Sequence, residues 1–126
     1  MVRIIGIGEY AISDDKNDVL KTYALSSCVA LTVYSPIRKV LGMAHIVLPN
    51  SLSNSEIMEN RIISNPAHYA DKAVPMLINK ICLGYGCMRE ELELRLFGGA
   101  QPIRTNDVFN IGLRNVEMVE LILKQM

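Results

Sequence analysis

The sequence has no tryptophan, and aromatic residues make up only 6% of its 126 residues. It also has no excess of either charge, because lysine plus arginine and aspartate plus glutamate number 13 each. A chain with zero net charge and no block of like charge offers no attraction to nucleic acid or to anionic lipid. No apolar run is long enough for a transmembrane helix, and the first one, Val2–Gly8, is short and broken by glycine. We therefore expect a cytoplasmic protein without a nucleic-acid partner and without membrane insertion.

Cysteine is scarce, and its three positions are 28, 82 and 87. An odd number with a single close pair argues against a disulfide framework and predicts reduced thiols. The spacing of Cys82 and Cys87 lacks the second ligand pair of a zinc site, so no metal is predicted. The two glycines of GIGEY also fall short of the three that a dinucleotide-binding loop requires.

Half of the residues are apolar, which at this length fits one domain with its own core. Short β-branched stretches predict strands, and Val2–Gly8 is interpreted as a buried strand that begins the sheet. CVALTVY and VLGMAHIVLP, separated by the turn residues SPIRK, predict a hairpin, and LELRLFGGA predicts a further strand. The stretch Asn50–Asn65 shows no clean period and predicts either a functional loop or a short helical turn.

Two helices are predicted in the second half of the chain. The first begins with Asn65 as N-cap and Pro66 as its first residue, and it ends near Gly84 and Gly86. Its apolar stripe consists of Ala70, Ala73, Val74, Leu77, Ile78 and Ile81. The second helix covers residues 112–126. Strands that precede and separate two helices indicate an α+β fold with a mainly antiparallel sheet and helices packed on it.

The hairpin holds the most interesting pair of side chains, Cys28 and His45. A turn centred between Pro36 and Ile37 places these two residues directly opposite each other, with Cβ atoms about 5 Å apart. A thiol beside an imidazole can form a nucleophile and base for acyl transfer, and such a neighbour is expected to lower the pKa of Cys28. The alternative is that Cys28 is a small buried apolar residue and His45 a hydrogen-bonded core residue.

Several segments taken together resemble one family. GIGEY, TYALSSCVALTVYSP, GMAHIVLP, HYADKAVPMLI, LFGGA and IGLRNVE are similar to CheD, the chemoreceptor glutamine deamidases of bacterial and archaeal chemotaxis. The resemblance implies an α/β sandwich in which Cys28 is the nucleophile, His45 the base and Thr22 an assisting residue. It also implies cytoplasmic chemoreceptor domains as protein substrate, the CheC phosphatase as a possible partner, and no metal or organic cofactor.

The sequence departs from the family pattern at two points, and the resemblance has one rival interpretation. Ser26 occupies a position where the family usually has glycine, and a left-handed backbone there would be strained by about 1–2 kcal/mol. The family normally continues with further strands, so residues 1–126 are interpreted as a single CheD-like deamidase domain that lacks them. The rival is a CheD-like regulatory binding module without turnover. For an active enzyme, backbone amides around Ser26, Ser27 and Cys28 are the expected oxyanion donors, and those of FGGA are an alternative.

Overall fold

The computed structural model describes residues 1–51, 65–100 and 110–126. Most of the predicted connection Asn50–Asn65 lies outside these residues. Within them the chain forms six strands, two α-helices and one short 3₁₀ helix. In chain order these are β1 Val2–Ile5, β2 Tyr10–Ser13, β3 Val19–Thr22, β4 Val29–Ser35, β5 Val40–Ile46, α1 Ala70–Tyr85, the 3₁₀ helix Arg89–Glu91, β6 Glu93–Gly98 and α2 Ile111–Gln125.

The main sheet has four strands in the order β2-β5-β4-β6, and every neighbouring pair in it is antiparallel. Strands β1 and β3 form a separate parallel pair. Helices α1 and α2 contribute the buried apolar residues that complete the core with β4 and β5. The predicted α+β class, with a mainly antiparallel sheet and helices packed on it, is therefore confirmed.

Helix α1 shows which face of the sheet is covered. All six residues of its predicted stripe are buried. A Cβ on Gly42 of β5 would lie 2.7 Å from Ile81 and 3.1 Å from Leu77, so glycine is what allows the helix to approach the sheet this closely. Because side chains alternate across a strand, His45 points to the opposite face of the sheet.

The predicted start of this helix is wrong by several residues. Helix α1 begins at Ala70 with Tyr69 as its N-cap, and not at Asn65. The Asn65 side chain instead donates to the Ile7 carbonyl at 2.8 Å, and Tyr69 forms a parallel bridge with Leu48. These contacts with other segments compete with helix formation before Ala70. The predicted end is confirmed, because Gly86 is a left-handed C-cap.

The prediction for the first strand also requires correction. Val2, Arg3 and Ile4 are exposed and only Ile5 is buried in β1. The strand pairs with β3 in the small parallel sheet, whereas β2 is one of the two edge strands of the main sheet. The β-branched composition therefore identified a strand correctly but did not reveal its solvent exposure or its partner.

The hairpin register differs from the prediction by two positions. Ser35 pairs with Val40, which leaves a four-residue loop, and Ala30 is the residue directly opposite His45. The loop is closed by a hydrogen bond from the Lys39 amide to the Ser35 carbonyl at 2.8 Å, and Lys39 adopts a φ of 57°. Direct opposition of Cys28 and His45 is therefore wrong, although a shift of two positions keeps residues on the same face.

Candidate functional site

His45 is fixed on β5 at the face turned away from the helices. Its amide donates to the Glu9 carbonyl at 3.0 Å, and its carbonyl accepts from the Gly8 amide at 2.9 Å. The GIGEY segment is thus a turn that anchors this part of β5. The His45 side chain is only 1% exposed, so the orientation of its ring depends on a few buried contacts.

Thr22 determines which nitrogen of His45 carries the proton. Its Oγ1 lies 2.7 Å from His45 Nδ1 and donates to the Ile5 carbonyl at 2.7 Å. A carbonyl can only accept, and a hydroxyl has a single hydrogen, so Thr22 must accept a hydrogen bond from Nδ1–H. Neutral His45 therefore carries its hydrogen on Nδ1 and a lone pair on Nε2.

The Nε2 atom of His45 is the free end of this arrangement. It is buried and forms no hydrogen bond with any residue in the described parts of the chain. Burial lowers the pKa of the imidazole, because desolvation disfavours its cationic form. His45 therefore presents an unprotonated nitrogen, which is the state required of a general base.

Cys28 lies one residue before β4, at the end of the loop that joins β3 to it. Its carbonyl accepts from the Gly99 amide at 2.9 Å, and the Ser26 carbonyl accepts from the Ala100 amide at 2.7 Å. These two amides of FGGA therefore hold residues 23–28, which join β3 to β4 and which we call the cysteine loop. Cys28 itself is partly exposed, as a nucleophile that must meet a substrate needs to be.

The thiol does not have the lowered pKa expected from the sequence. Burial raises the pKa of Cys28, and a hydrogen bond from its own backbone amide opposes this only in part. The sequence-based expectation assumed a contact with His45 across the hairpin, and the observed register removes it. The resting pair is therefore a neutral thiol and a neutral imidazole.

The backbone of the loop before Cys28 is relevant to two predictions, the strain at Ser26 and the oxyanion donors. Ala24, Lys39 and Asn110 are the non-glycine residues of the described ranges with positive φ. Ser26 is not among them, so it carries no left-handed strain here. The amides of Ser27 and Cys28 donate to no backbone carbonyl in the described parts of the chain.

Asn115 of α2 was missed by the sequence analysis. Its Nδ2 atom donates to the carbonyls of Ser27 and Val47, each at 2.9 Å, and its side chain is fully buried. The sequence did contain a signal for it, because positions 112, 115 and 119 follow helical spacing and Asn115 is the polar residue among them. The structure shows that these three residues form the buried stripe of the helix.

A groove of about 440 Å³ opens next to Thr22, and Cys28 and His45 are not among the residues that line it. It is lined mainly by apolar side chains, including Tyr23, Leu25 and Phe97, and it reaches Thr22 and Ala30. Thr22 is hydrogen-bonded to His45 and Ala30 lies opposite it in the sheet. The groove is therefore lined by two neighbours of His45 and not by the imidazole itself.

All three cysteines are free, with Cys82 partly buried and Cys87 buried. In residues 1–51, 65–100 and 110–126, no cluster of three or more His, Cys, Asp or Glu side chains could hold a metal ion. Within the same ranges, no helix combines the length and apolar character needed to span a bilayer.

Because His45 is buried in its neutral form, stability should depend on pH. The imidazole has a pKa of about 6.5 in the unfolded chain and a lower pKa in the folded protein. At pH values between these two pKa values, the unfolded state binds more protons than the folded state. Stability is then complete above about pH 6.5 and decreases as pH falls through the folded pKa. We expect the free energy of unfolding to fall between about pH 7.5 and pH 5.5.

Denaturant unfolding of the wild type and His45→Gln at both pH values measures this contribution. The variant lacks the imidazole, so its pH dependence should be the smaller of the two. The lowered pKa values of Asp18 and Glu91 also reduce stability in acid, but at lower pH, where carboxylates titrate. Equal pH dependence in the two proteins would show that His45 does not titrate differently on unfolding.

Comparison with known proteins identifies the family. The family described as CheD chemotactic sensory transduction matches residues 47–126. A probable chemoreceptor glutamine deamidase CheD of Syntrophotalea carbinolica is 42% identical over 121 residues, covering 95% of this chain and 72% of the relative. The chemoreceptor glutamine deamidase CheD of Thermotoga maritima is 39% identical over 124 residues, covering 98% and 72%. A probable CheD of Pyrococcus abyssi is 35% identical over 124 residues, covering 97% and 71%. The chain therefore belongs to the CheD family.

Proposed function

We propose that this protein is a protein-glutamine deamidase that hydrolyses glutamine side chains of chemoreceptors to glutamate. The observation that carries the proposal is the Thr22–His45 hydrogen bond, which leaves a buried Nε2 lone pair on the face of the sheet that the groove reaches. Family membership and the activity for which the relatives are named support the choice of substrate. Cys28, His45 and Thr22 are the proposed catalytic residues.

The register of the hairpin is compatible with this role. Continuing the observed register past the start of β4 makes Cys28 a diagonal neighbour of His45 on the same face. Diagonal neighbours have Cβ atoms up to about 7 Å apart, which a thiol and an imidazole can bridge by side-chain rotation. Catalytic hydrogen bonds are commonly long in a free enzyme and shorten when substrate binds.

Acylation is the first half of the reaction. His45 Nε2 takes the proton of the Cys28 thiol, and the sulfur attacks the glutamine amide carbon to form a tetrahedral oxyanion. The imidazolium then returns the proton to the amide nitrogen, the C–N bond breaks, ammonia leaves and a thioester remains. Because both groups rest in the neutral state, the thiolate forms only as the proton moves to His45.

Hydrolysis completes the cycle. Neutral His45 removes a proton from water as its oxygen attacks the thioester carbon. The C–S bond then breaks, the imidazolium returns its proton to the departing sulfur of Cys28, and the glutamic acid that is released ionises to glutamate. The amides of Ser27 and Cys28, with the Ser26 backbone supporting the turn, are the proposed oxyanion donors in both steps. Thr22 stabilises the imidazolium, because it accepts from Nδ1–H in either charge state.

The test is incubation of the protein with a chemoreceptor cytoplasmic domain from the same organism. Mass spectrometry should show conversion of particular glutamines to glutamate, and Thr22→Val should slow this conversion, on the order of 100-fold, because the tautomer of His45 is no longer fixed. Receptor that is bound but unchanged in mass would contradict the proposal.

One observation favours a second candidate, a regulatory binding module without turnover. No hydrogen bond joins His45 Nε2 to Cys28 or to any other residue in the described ranges. In such a module the groove would bind a chemotaxis protein without reaction. The same mass-spectrometric experiment separates the two, since a module binds receptor and leaves its glutamines intact.

A cytoplasmic location and a CheC partner belong to the same proposal. The resemblance implies cytoplasmic chemoreceptor domains as substrate, and this supports the proposed location; residues 1–126 are proposed to act as one deamidase domain. The family resemblance makes the CheC phosphatase a candidate partner. If CheC binds at the groove, adding it should reduce receptor deamidation and protect Cys28 from alkylation.

A further inference from the structure

We infer that Asn115 is a positioning residue that sets the placement of Cys28 relative to His45. The inference rests on the proposed function, because it assigns a role in the same site. Asn115 lies on α2, 88 residues from Ser27 and 68 residues from Val47 in sequence, and it binds the carbonyls of both. Ser27 immediately precedes the proposed nucleophile, and Val47 follows the strand that carries the proposed base.

The orientation of the amide is determined by its partners. Both contacts are made to carbonyl oxygens, which can only accept, so the atom between them is Nδ2 with its two hydrogens. Each hydrogen goes to a different segment, and both distances are 2.9 Å. The side chain therefore connects the two segments at the point where the β4–β5 ladder has ended at Val29 and Ile46.

The remaining atom of the amide indicates that packing is not the reason for an asparagine here. Oδ1 is buried and forms no hydrogen bond within the described parts of the chain. A buried acceptor without a partner is unfavourable, and a leucine of similar size would avoid it. The favourable contribution of Asn115 is thus confined to the two bonds that connect the cysteine loop with β5.

Helix α2 holds the cysteine loop by a second route as well. A Cβ on Gly112 would lie 2.3 Å from the Ala100 carbonyl, so the first turn of the helix packs directly on the segment after β6. That segment donates its Gly99 and Ala100 amides to the carbonyls of Cys28 and Ser26. The Asn115 bonds, in contrast, connect the loop with the residue that directly follows the strand of His45.

The test measures the coupling between His45 and Cys28 without any substrate. Iodoacetamide alkylation of Cys28 near neutral pH is followed by peptide mass spectrometry in the wild type, His45→Gln, Asn115→Leu and the double variant. In the wild type, removing the base should slow alkylation. In the Asn115→Leu background the same substitution should have little effect, because the thiol is no longer held where side-chain rotation brings it to the imidazole. A double-mutant cycle expresses this difference directly.

Receptor deamidation provides the second measurement. Asn115→Leu should lower kcat on the order of 10- to 100-fold with little change in KM, because the groove is intact and only the reacting atoms are misplaced. Val119→Ala is the matched control, since Val119 is buried on the same helix face and forms none of these hydrogen bonds. It should reduce stability and leave kcat near that of the wild type. If Asn115→Leu does not fold, Asn115→Ala is measured in its place.

The outcomes separate this inference from the proposed function. Unchanged coupling or unchanged kcat in Asn115→Leu would overturn the positioning role while leaving deamidation in place. A wild type that shows the coupling but never deamidates receptor would overturn the proposed function and retain the positioning role. Absence of coupling in the wild type would contradict both the dyad and the inference.

Discussion

Replacing Cys28 with alanine is expected to abolish deamidation while changing thermal stability little. The sulfur is the proposed attacking atom, and loss of a nucleophile should lower turnover by at least about 10³-fold. Cys28 is only partly buried, so truncation should leave at most a small cavity. Melting temperature by calorimetry and receptor deamidation by mass spectrometry, measured on the same preparation, determine both quantities.

Cys87 provides the matched control because it is buried in the core, with 5% of its surface exposed. Cys87→Ala should cost on the order of 1 kcal/mol, which lowers the melting temperature by a few degrees, and should retain activity. The two cysteines are thus expected to give opposite pairs of results. A Cys28→Ala variant that loses several degrees and keeps activity would make Cys28 a packing residue and exclude the mechanism.

Gly98→Ala is expected to damage both stability and activity. Gly98 has a φ of 90°, and a Cβ built on it would lie 2.3 Å from the Cys28 carbonyl. The backbone strain and the collision together should cost roughly 2–4 kcal/mol. Relief of the collision requires the cysteine loop to move, and a shift of about 1 Å at a reacting group can lower kcat about 100-fold. Chemical denaturation and steady-state kinetics below the melting transition measure the two effects.

Gly84→Ala is the control, because it makes the same substitution at a position where the added Cβ meets no other atom. Gly84 lies near the end of α1, and nothing stands within 4 Å of the Cβ that alanine would add. Alanine there should stabilise the protein by about 0.5–1 kcal/mol through its helix propensity and should not alter kcat. Equal stability and activity of Gly98→Ala and Gly84→Ala would refute the proposed contact between Gly98 and the cysteine loop.

The sequence predicted helix α1 well because its signal is local. Six apolar residues at spacings of three and four form one face of a helix, and all six are buried. The start of the same helix was predicted poorly, because Asn65 is engaged by the Ile7 carbonyl, 58 residues away in sequence. A capping preference is local, and a distant partner can override it.

The hairpin shows the same division between local and distant information. Strand identity and the existence of the turn followed from composition, but the register depended on hydrogen bonds around Ser35 and on the left-handed Lys39. The predicted opposition of Cys28 and His45 was therefore wrong. The prediction that both side chains lie on the same face of the sheet is unaffected, because a shift of two residues does not change the face.

By itself the sequence determined the α+β class, the buried stripe of α1 and the choice of Cys28 and His45 as candidate residues, to which the family resemblance added Thr22. The tertiary structure decided how they are arranged. It placed Thr22 between the Ile5 carbonyl and His45 Nδ1, and it brought Asn115 to the loop before Cys28. Periodicity along the chain records only which side of an element is buried. The partner of each buried polar atom is chosen by the packing of segments far apart in sequence, since an unpaired polar group in the interior is costly wherever it lies.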